Sequence, residues 1–362
     1  MESPGFVGSV WRAWFALGRK AEVPMTYISF VMVSRNDDYG GNLRHRMQTC
    51  LDSIVSLADR YEVPTEVQLV EWNPPKDSPP LEEILEFPDE TATTDVNFLT
   101  VPPDVHDALP GSDSLPLFEY IGKNVGIRRA SGEFVLSANP DLIFNEKFFE
   151  FLASQRLSHE KFYRIRKYNL GSLVPIDANI DAQLEFCQQN VTAKYTPHGY
   201  REIPYTRRIR NVAHSYLTVL RNPWHIVDRV RRLWDPRPRS IYDLHHLAAG
   251  DFILMGKEEW EMVNGHPEFE YNFHVDSYSV LAAAAAGLEE HVFDDAIRVY
   301  HQPHEDQHDE RPRGEWSELV DLSREALPNN DDVIGFNDKS WGLPDEEITE
   351  RTLVTGSNPV PD

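Results

Sequence analysis

The chain has 362 residues, 41% of them apolar and 11% aromatic, enough for one large α/β domain with additions or for two smaller domains. Its formal charge of −24 excludes a general nucleic-acid surface, which needs clustered cations. Its 2 cysteines, Cys50 and Cys187, lie far apart without metal-ligand spacing; this excludes a disulfide framework and leads us to expect reduced thiols in a cytoplasmic protein.

No stretch reaches the roughly 18–20 apolar residues that span a bilayer, and the N-terminus lacks the pattern of a signal peptide. In FVGSVWRAWFALGRK (6–20), Val7, Val10, Trp11, Trp14 and Phe15 follow helical spacing, with Arg12, Arg19 and Lys20 nearby. Residues 1–24 are therefore expected to form an amphipathic helix. It either lies peripherally in a membrane interface or docks on its own domain or on a partner subunit.

From Pro24 the pattern is α/β. TYISFVMVS (26–34) reads as a buried strand ending in the polar turn RNDDYGGN (35–42). A helix follows, with Met47, Leu51, Ile54, Val55 and Ala58 on one face. EVQLVEW (66–72) is a second strand, stopped by Asn73-Pro74-Pro75; residues 74–95 read as irregular, and VNFLTVP (96–102) is a third strand. The spacing predicts a helix from about Leu117 to Ala130, then a strand through Phe134-Val135-Leu136 that ends at Asn139-Pro140-Asp141. This order implies a mostly parallel sheet with right-handed crossovers. Ligands of such sheets bind beyond the carboxyl ends of the strands, where the tips 35–42, 71–73 and 139–141 converge.

Residues 201–239 carry ten Arg against Glu202, Asp228 and Asp235, a reversal of charge within an acidic chain. Either this segment faces an anionic ligand or membrane, or it pairs with the protein's own acids. GDFILMGKEEWEMVNG (250–265) reads as a strand entering a short helix, HVDSYSVLAAAAAGL (274–288) as a turn and helix, and AIRVYHQPH (296–304) as a last strand ending in histidine. Residues 305–362, with sixteen acids against five bases, are expected to form a peripheral, partly disordered extension.

The Walker loop, the G-x-G-x-x-G fingerprint, the G-x-S-x-G elbow and the cysteine metal patterns are all absent. What remains is carboxylates and histidines at strand ends. The succession SRNDD, VEWNPP, KNVGIRRASGEFVLSANPD, GDFILMGKEEWEMVNG, VDS and YHQPH resembles the GT-A glycosyltransferases, family 2-like, with a C-terminal half similar to the beta-1,4-galactosyltransferases. A narrower resemblance is to bacterial glycosyltransferase-like proteins with an SRNDDHGG start and an N-x-D centre. The match covers roughly 26–304, with 155–245 poorly matched and expected to be an acceptor-side insertion.

The resemblance implies one GT-A-like domain over 25–304. Its expected work is to move a sugar from a nucleotide-diphosphate donor, UDP by default, to a glycan or lipid-linked acceptor, as in polysaccharide biosynthesis, with inversion and help from Mn2+ or Mg2+. It assigns Arg35, Asn36, Asp37, Glu71, Asn73, Lys123, Asn124 and Asn139 to the nucleotide and donor, Asp141 and His301 to the metal, Gly250 and Asp251 to the acceptor, and Asp276 to general-base catalysis. His304 shares the loop of His301. The chain departs from the family where Asn139 replaces the first acid of the D-x-D motif and Val275 the first acid of the later pair. One carboxylate still suffices for a magnesium-like ion when substrate phosphates supply other ligands, and a histidine favours manganese. Asp276 has a second reading as the N-cap of the helix that follows. A non-catalytic nucleotide- or glycan-binding relative and a sugar nucleotidyltransferase are the alternatives; against the latter, no Gly-rich activating loop follows the first strand.

Overall fold

The computed structural model describes residues 26–197, 199–203, 234, 237–305, 314–328 and 333–356. The expected N-terminal helix, and most of the Arg-rich stretch (204–233), lie outside these residues. In chain order the strands are β1 (Ile28–Ser34), β2 (Thr65–Trp72), β3 (Thr94–Val101), β4 (Phe134–Ala138), β5 (Leu142–Phe144), β6 (Lys161–Arg164) and β7 (Arg166–Leu170), then β8 (Val191–Thr196), β9 (Gly199–Glu202), β10 (Phe252–Gly256), β11 (Glu289–Val292), β12 (Arg298–His301) and β13 (Thr349–Val354). The helices are α1 (Leu43–Arg60), α2 (Leu81–Ile84), α3 (Pro103–Asp107), α4 (Glu119–Arg129), α5 (Glu146–Ala153), α6 (Ile180–Gln189), α7 (Lys257–Met262), α8 (Val275–Ala285) and α9 (Trp316–Ala326). Among the described residues, no helix is long and apolar enough to cross a membrane.

The fold is a mixed α/β domain built on an eight-stranded sheet of order β11-β6-β10-β4-β1-β2-β3-β13. Its centre, β4-β1-β2-β3, is parallel as expected. The flanks are mixed: β10 runs antiparallel to β4 and β6, and β13 antiparallel to β3, while β11 pairs parallel with β6. Every residue of β1 and β2 is buried, the mark of strands covered on both faces, which explains their unbroken apolar reading.

On one face α1 buries Leu43, Met47, Cys50, Leu51, Ile54, Leu57 and Ala58. On the other, α4 lies against β1 and β2 through two glycines. A Cβ at Gly122 would meet Val33 Cγ2 at 2.5 Å, and one at Gly126 would meet Val31 Cγ1 at 2.5 Å. Only a side-chain-free seam brings the helix this close, and it sets Lys123, between the glycines, directly beneath the strand ends.

A second, five-stranded sheet has the order β5-β12-β7-β8-β9. The chain passes from the large sheet to the small one at β4→β5, β6→β7 and β11→β12. The tip Asn139-Pro140-Asp141 is the first of these crossings, so it stands where the two sheets meet.

Two expectations about boundaries need correction. The poorly matched stretch from 155 does not begin as an insertion, because β6 pairs with β10 and β11 inside the large sheet. The described parts of the acid-rich extension are integral. β13 closes the β3 edge of the sheet, and Leu319, Val320 and Leu327 of the α9 region are buried in a core with Tyr278 and Leu281 of α8. The apolar face of α9 overrides its acidic composition.

Candidate active site

A cleft of about 700 Å³ opens at the carboxyl ends of β1 and β4, and residues of both sheets line it. Three buried polar side chains, two of them cationic, set its shape. Lys123 Nζ, fully buried, donates to Glu119 Oε1 (2.7 Å), Asn139 Oδ1 (2.7 Å) and Gly250 O (2.8 Å). Arg164, at the end of β6 and also fully buried, donates to the carbonyls of His245 (2.9 Å), Leu247 (3.2 Å) and Ala249 (3.3 Å), and so holds the loop before Gly250 as a cleft wall. Burial pushes the Arg164 guanidinium down to about 10. Gln302, also buried, donates to Arg46 O (3.1 Å) and Thr49 Oγ1 (2.8 Å), pinning the end of β12 to α1.

Asn139 bridges two unlike partners. Its Oδ1 accepts from Lys123 and its Nδ2 donates to Asp251 Oδ1 at 3.0 Å. An aspartate there would set two carboxylates against each other, which gives a local reason for the departure from D-x-D. The Asn139 oxygen is thus turned to Lys123. Burial raises the Asp251 carboxyl, but Lys167, whose Nζ lies 2.6 Å from Asp251 Oδ2, outweighs it with help from His301 and holds the group below its usual range.

Asp141, at the start of β5, is buried; its Oδ2 lies 3.0 Å from Arg46 Nη1, 3.5 Å from His301 Nε2 and 3.4 Å from His304 Nε2. Its Oδ1 is buried and has no hydrogen-bond partner among the described residues. Ligand atoms of Asp141, His301 and His304 all lie within 4.8 Å of one another. Burial holds His301 below its ordinary range, against the pull of Asp141, and keeps the imidazole neutral for ligation. The divalent ion that the resemblance implies fits this donor set, since a carboxylate with two imidazoles is a transition-metal donor set. The charge of the cleft points the same way. Its lining carries Arg35, Arg46 and Lys167 against Asp37, Glu119, Asp141, Asp251 and Asp276. That excess of carboxylates repels a diphosphate unless a further cation accompanies it.

Asp276, in the first turn of α8, lines the cleft. Its Oδ2 accepts from Gly250 N at 2.8 Å and its Oδ1 from Ser277 N at 2.8 Å, so two backbone donors fix the orientation of the carboxylate while lone pairs remain for a ligand. The N-cap of α8 is His274, in left-handed geometry, so the capping reading of Asp276 does not hold.

Of the residues singled out in the sequence, Arg35, Asp37, Asn139, Asp141, Gly250, Asp251, Asp276 and His301 line this cleft. Arg35 is steadied by Asn73 O (2.8 Å) and Asp37 Oδ2 (2.8 Å). Five do not line it. Lys123 lies below its floor. Asn36 donates to Pro79 O at 2.7 Å, and Asn73 to Pro116 O at 3.2 Å. Glu71 is fully buried, its Oε1 accepting from Leu81 N at 2.9 Å, and burial pushes its carboxyl up to about 7. Asn124 is buried on the far side of α4, where it clamps His266 and Glu268. The resemblance assigned all five to the nucleotide and donor; their hydrogen-bond partners, and for Asn124 the helical rotation of α4, direct them elsewhere.

The sequence reading missed Arg46, Lys167 and Trp316. Arg46 carries a signal after the fact, because it shares the inward face of α1 with Cys50 and Ile54, where an unpaired cation would not be tolerated. Lys167 is contributed by the second sheet and Trp316 by the acidic extension, neither of which the pattern could align with the strand tips.

Comparison with known proteins adds fold likenesses. No protein-family model matches the chain, and no curated protein matches its sequence. Among solved structures, S. aureus TarS 1-349 is similar at 14% identity and a TM-score of 0.41, over 76% of this chain and 60% of that one. A second structure of S. aureus TarS matches at 12% identity and a TM-score of 0.42, over 76% and 37%. S. aureus TarS 1-349 in complex with UDP-GlcNAc matches at 14% identity and a TM-score of 0.39, over 78% and 60%. The chain thus spans less than two thirds of these structures' length.

Proposed function

We propose that this cleft is the active site of a GT-A-like, inverting glycosyltransferase that uses a nucleotide-diphosphate sugar, with UDP as the expected nucleotide. The observation that carries the reading is the meeting of two carboxylates with different surroundings in one cleft. Asp141 sits among two histidines and an arginine, and Asp276 is held by backbone N–H groups with free lone pairs.

Asp141, His301 and His304 would hold a divalent ion, which when bound supplies Lewis-acid stabilisation of the departing diphosphate. Arg35 and Asp37, at the end of β1, face the nucleoside. Arg46 neutralises Asp141, and Lys167 neutralises Asp251, so the anionic leaving group meets fewer bare carboxylates. Asp276 takes the proton of the acceptor hydroxyl as its oxygen bonds to the anomeric carbon. The bond from that carbon to the phosphate oxygen breaks as this happens, and its electron pair leaves with the nucleoside diphosphate. General-base help of this kind contributes on the order of 10²–10⁴-fold.

A second reading, a binder without turnover, is favoured by Asn139 and by buried Val275, which stand where the family has acids. One experiment separates the two. UDP, GDP, dTDP and CDP are compared in thermal shift with and without Mn2+, and UDP-GlcNAc and UDP-glucose are then assayed for UDP release. A ligand at 100 times its dissociation constant adds about 2.7 kcal/mol to the native state. The transferase reading expects one nucleotide to stabilise the protein, more so with Mn2+, and expects the metal increment to vanish in His304→Ala. It also expects Asp276→Asn to bind nucleotide normally while losing at least about 10²-fold in turnover. A shift indifferent to metal, or wild-type turnover in Asp276→Asn, refutes these assignments; a shift with no release of UDP, whether to water or to added methyl glycosides, establishes the binder.

A further inference from the structure

The acid-rich extension does more than close the fold, because its helix α9 brings Trp316 into the cleft lining. The indole Nε1 donates to Tyr242 Oη at 2.9 Å, which fixes the ring plane. The rings of His274 and His246 flank the indole, with centroids at 4.8 and 5.2 Å. A large aromatic ring that packs against the core on one side, lines the cleft and is oriented in advance offers an apolar surface at little entropic cost.

We propose that Trp316, framed by His246 and His274, is the stacking platform for a pyranose ring of the acceptor, a proposal that rests on the transferase reading above. Three observations support a sugar of the acceptor. First, the platform is tied to Asp276 from two directions. His274 caps the helix that carries Asp276, and Ser277 Oγ reaches His246 O at 3.5 Å. Trp316 and Asp276 line one cleft, so a ring lying on the indole shares it with the carboxylate that takes a hydroxyl proton. Second, His246 Nδ1 faces the carbonyls of Ile241 and Leu244, both at 3.1 Å. Nδ1 therefore carries the proton, and Nε2 is left as an acceptor for a hydroxyl. Third, a pyranose in its chair form combines an apolar C–H face with a polar rim, which this pairing of rings and acceptors matches; an acyclic polyol has no such face.

The test uses the full chain without nucleotide. Methyl β-glucoside, methyl β-galactoside and methyl β-N-acetylglucosaminide are titrated, with sorbitol as the acyclic control, and binding is read by saturation-transfer NMR and calorimetry. At least one pyranoside is expected to bind through its ring C–H protons, and sorbitol is not. Trp316→Ala should weaken that pyranoside about tenfold. Trp316→Phe, which keeps an aromatic face, should recover most of the binding. Tyr242→Phe, which frees the indole N–H, should show an intermediate loss. The unfolding midpoint of each variant serves as the folding control. Four outcomes overturn the proposal: no pyranoside binds the wild-type protein, sorbitol binds equally, Trp316→Ala binds as the wild type does, or Trp316→Ala abolishes a UDP-induced thermal shift, which would give the ring to the nucleobase. Failure of the transferase reading appears separately, in the nucleotide experiment that contains no sugar acceptor.

Discussion

Replacing Lys123 with methionine tests whether the cleft is held from below or whether this ammonium serves a ligand directly. The substitution keeps the length of the side chain and removes three charge-assisted hydrogen bonds, to Glu119 Oε1, Asn139 Oδ1 and Gly250 O. Glu119, 28% exposed, can be rehydrated at little cost. Asn139 and Gly250 are only partly reachable by water, and each unpaired acceptor costs about 1–3 kcal/mol. Partial hydration from the cleft reduces the sum, giving a loss of about 3 kcal/mol in Lys123→Met. At a urea dependence of about 3 kcal/mol per molar, the midpoint falls by about 1 M, which equilibrium unfolding followed by circular dichroism reads directly. Asn139 and Gly250 also lose their tether, so pairing between Asn139 and Asp251 and between Gly250 and Asp276 should loosen together. An unchanged midpoint accompanied by weaker UDP binding would refute the reasoning and return Lys123 to the ligand-contacting role that the family resemblance implied.

Two further outcomes follow from packing and charge away from the cleft. Gly126→Ala introduces a Cβ 2.5 Å from Val31 Cγ1 and 3.1 Å from Val70 Cγ2, so α4 must lift from the sheet at a cost of about 1–3 kcal/mol; a wild-type melting temperature in this variant would contradict the seam. His159 lies between Glu259 Oε2 (2.9 Å) and Glu133 Oε1 (3.0 Å), and the hydrogen bond to Glu259 foremost raises its pKa to about 9. Because the folded value exceeds the unfolded one, this stabilisation is complete below about pH 6.5 and is lost as pH rises through about 9. Solvent reaches the group, so the contribution is set at about 1 kcal/mol, and His159→Gln should flatten the decline in stability over that window. An equally steep decline in the variant would assign it to other groups.

The strands of the parallel centre could be read from the sequence to within about two residues, because β-branched and apolar runs between polar turns carry their own signal. So could the edge on which the site lies, since parallel strands deliver their tips to one side. That rule points to Asp141 at the tip of β4, whereas His301 and Asp276 came from the resemblance to a glycosyltransferase pattern. The rule fails where direction depends on rotation rather than position. Asn124 follows Lys123 by one residue, yet a helical step of about 100° sends it to the far face of α4. Glu71 stands at a strand tip, but its carboxylate is taken by the backbone of the chain that turns back after β2.

What the sequence by itself determined is therefore local: the parallel core, the polar tips, the glycine spacing of α4 and the carboxylates available for chemistry. Only the tertiary structure decided which groups meet. Arg46 comes to Asp141 from α1, Lys167 to Asp251 from the second sheet, and Trp316 to the cleft from a segment whose acidic composition suggested a loose tail. These pairings depend on three passages from the large sheet to the small one and on an edge strand added from the chain's last part. The physical reason is separation along the chain. Periodicity and turn chemistry act over a few residues, whereas the neutralisation of a buried charge selects whichever opposite charge the packed fold delivers.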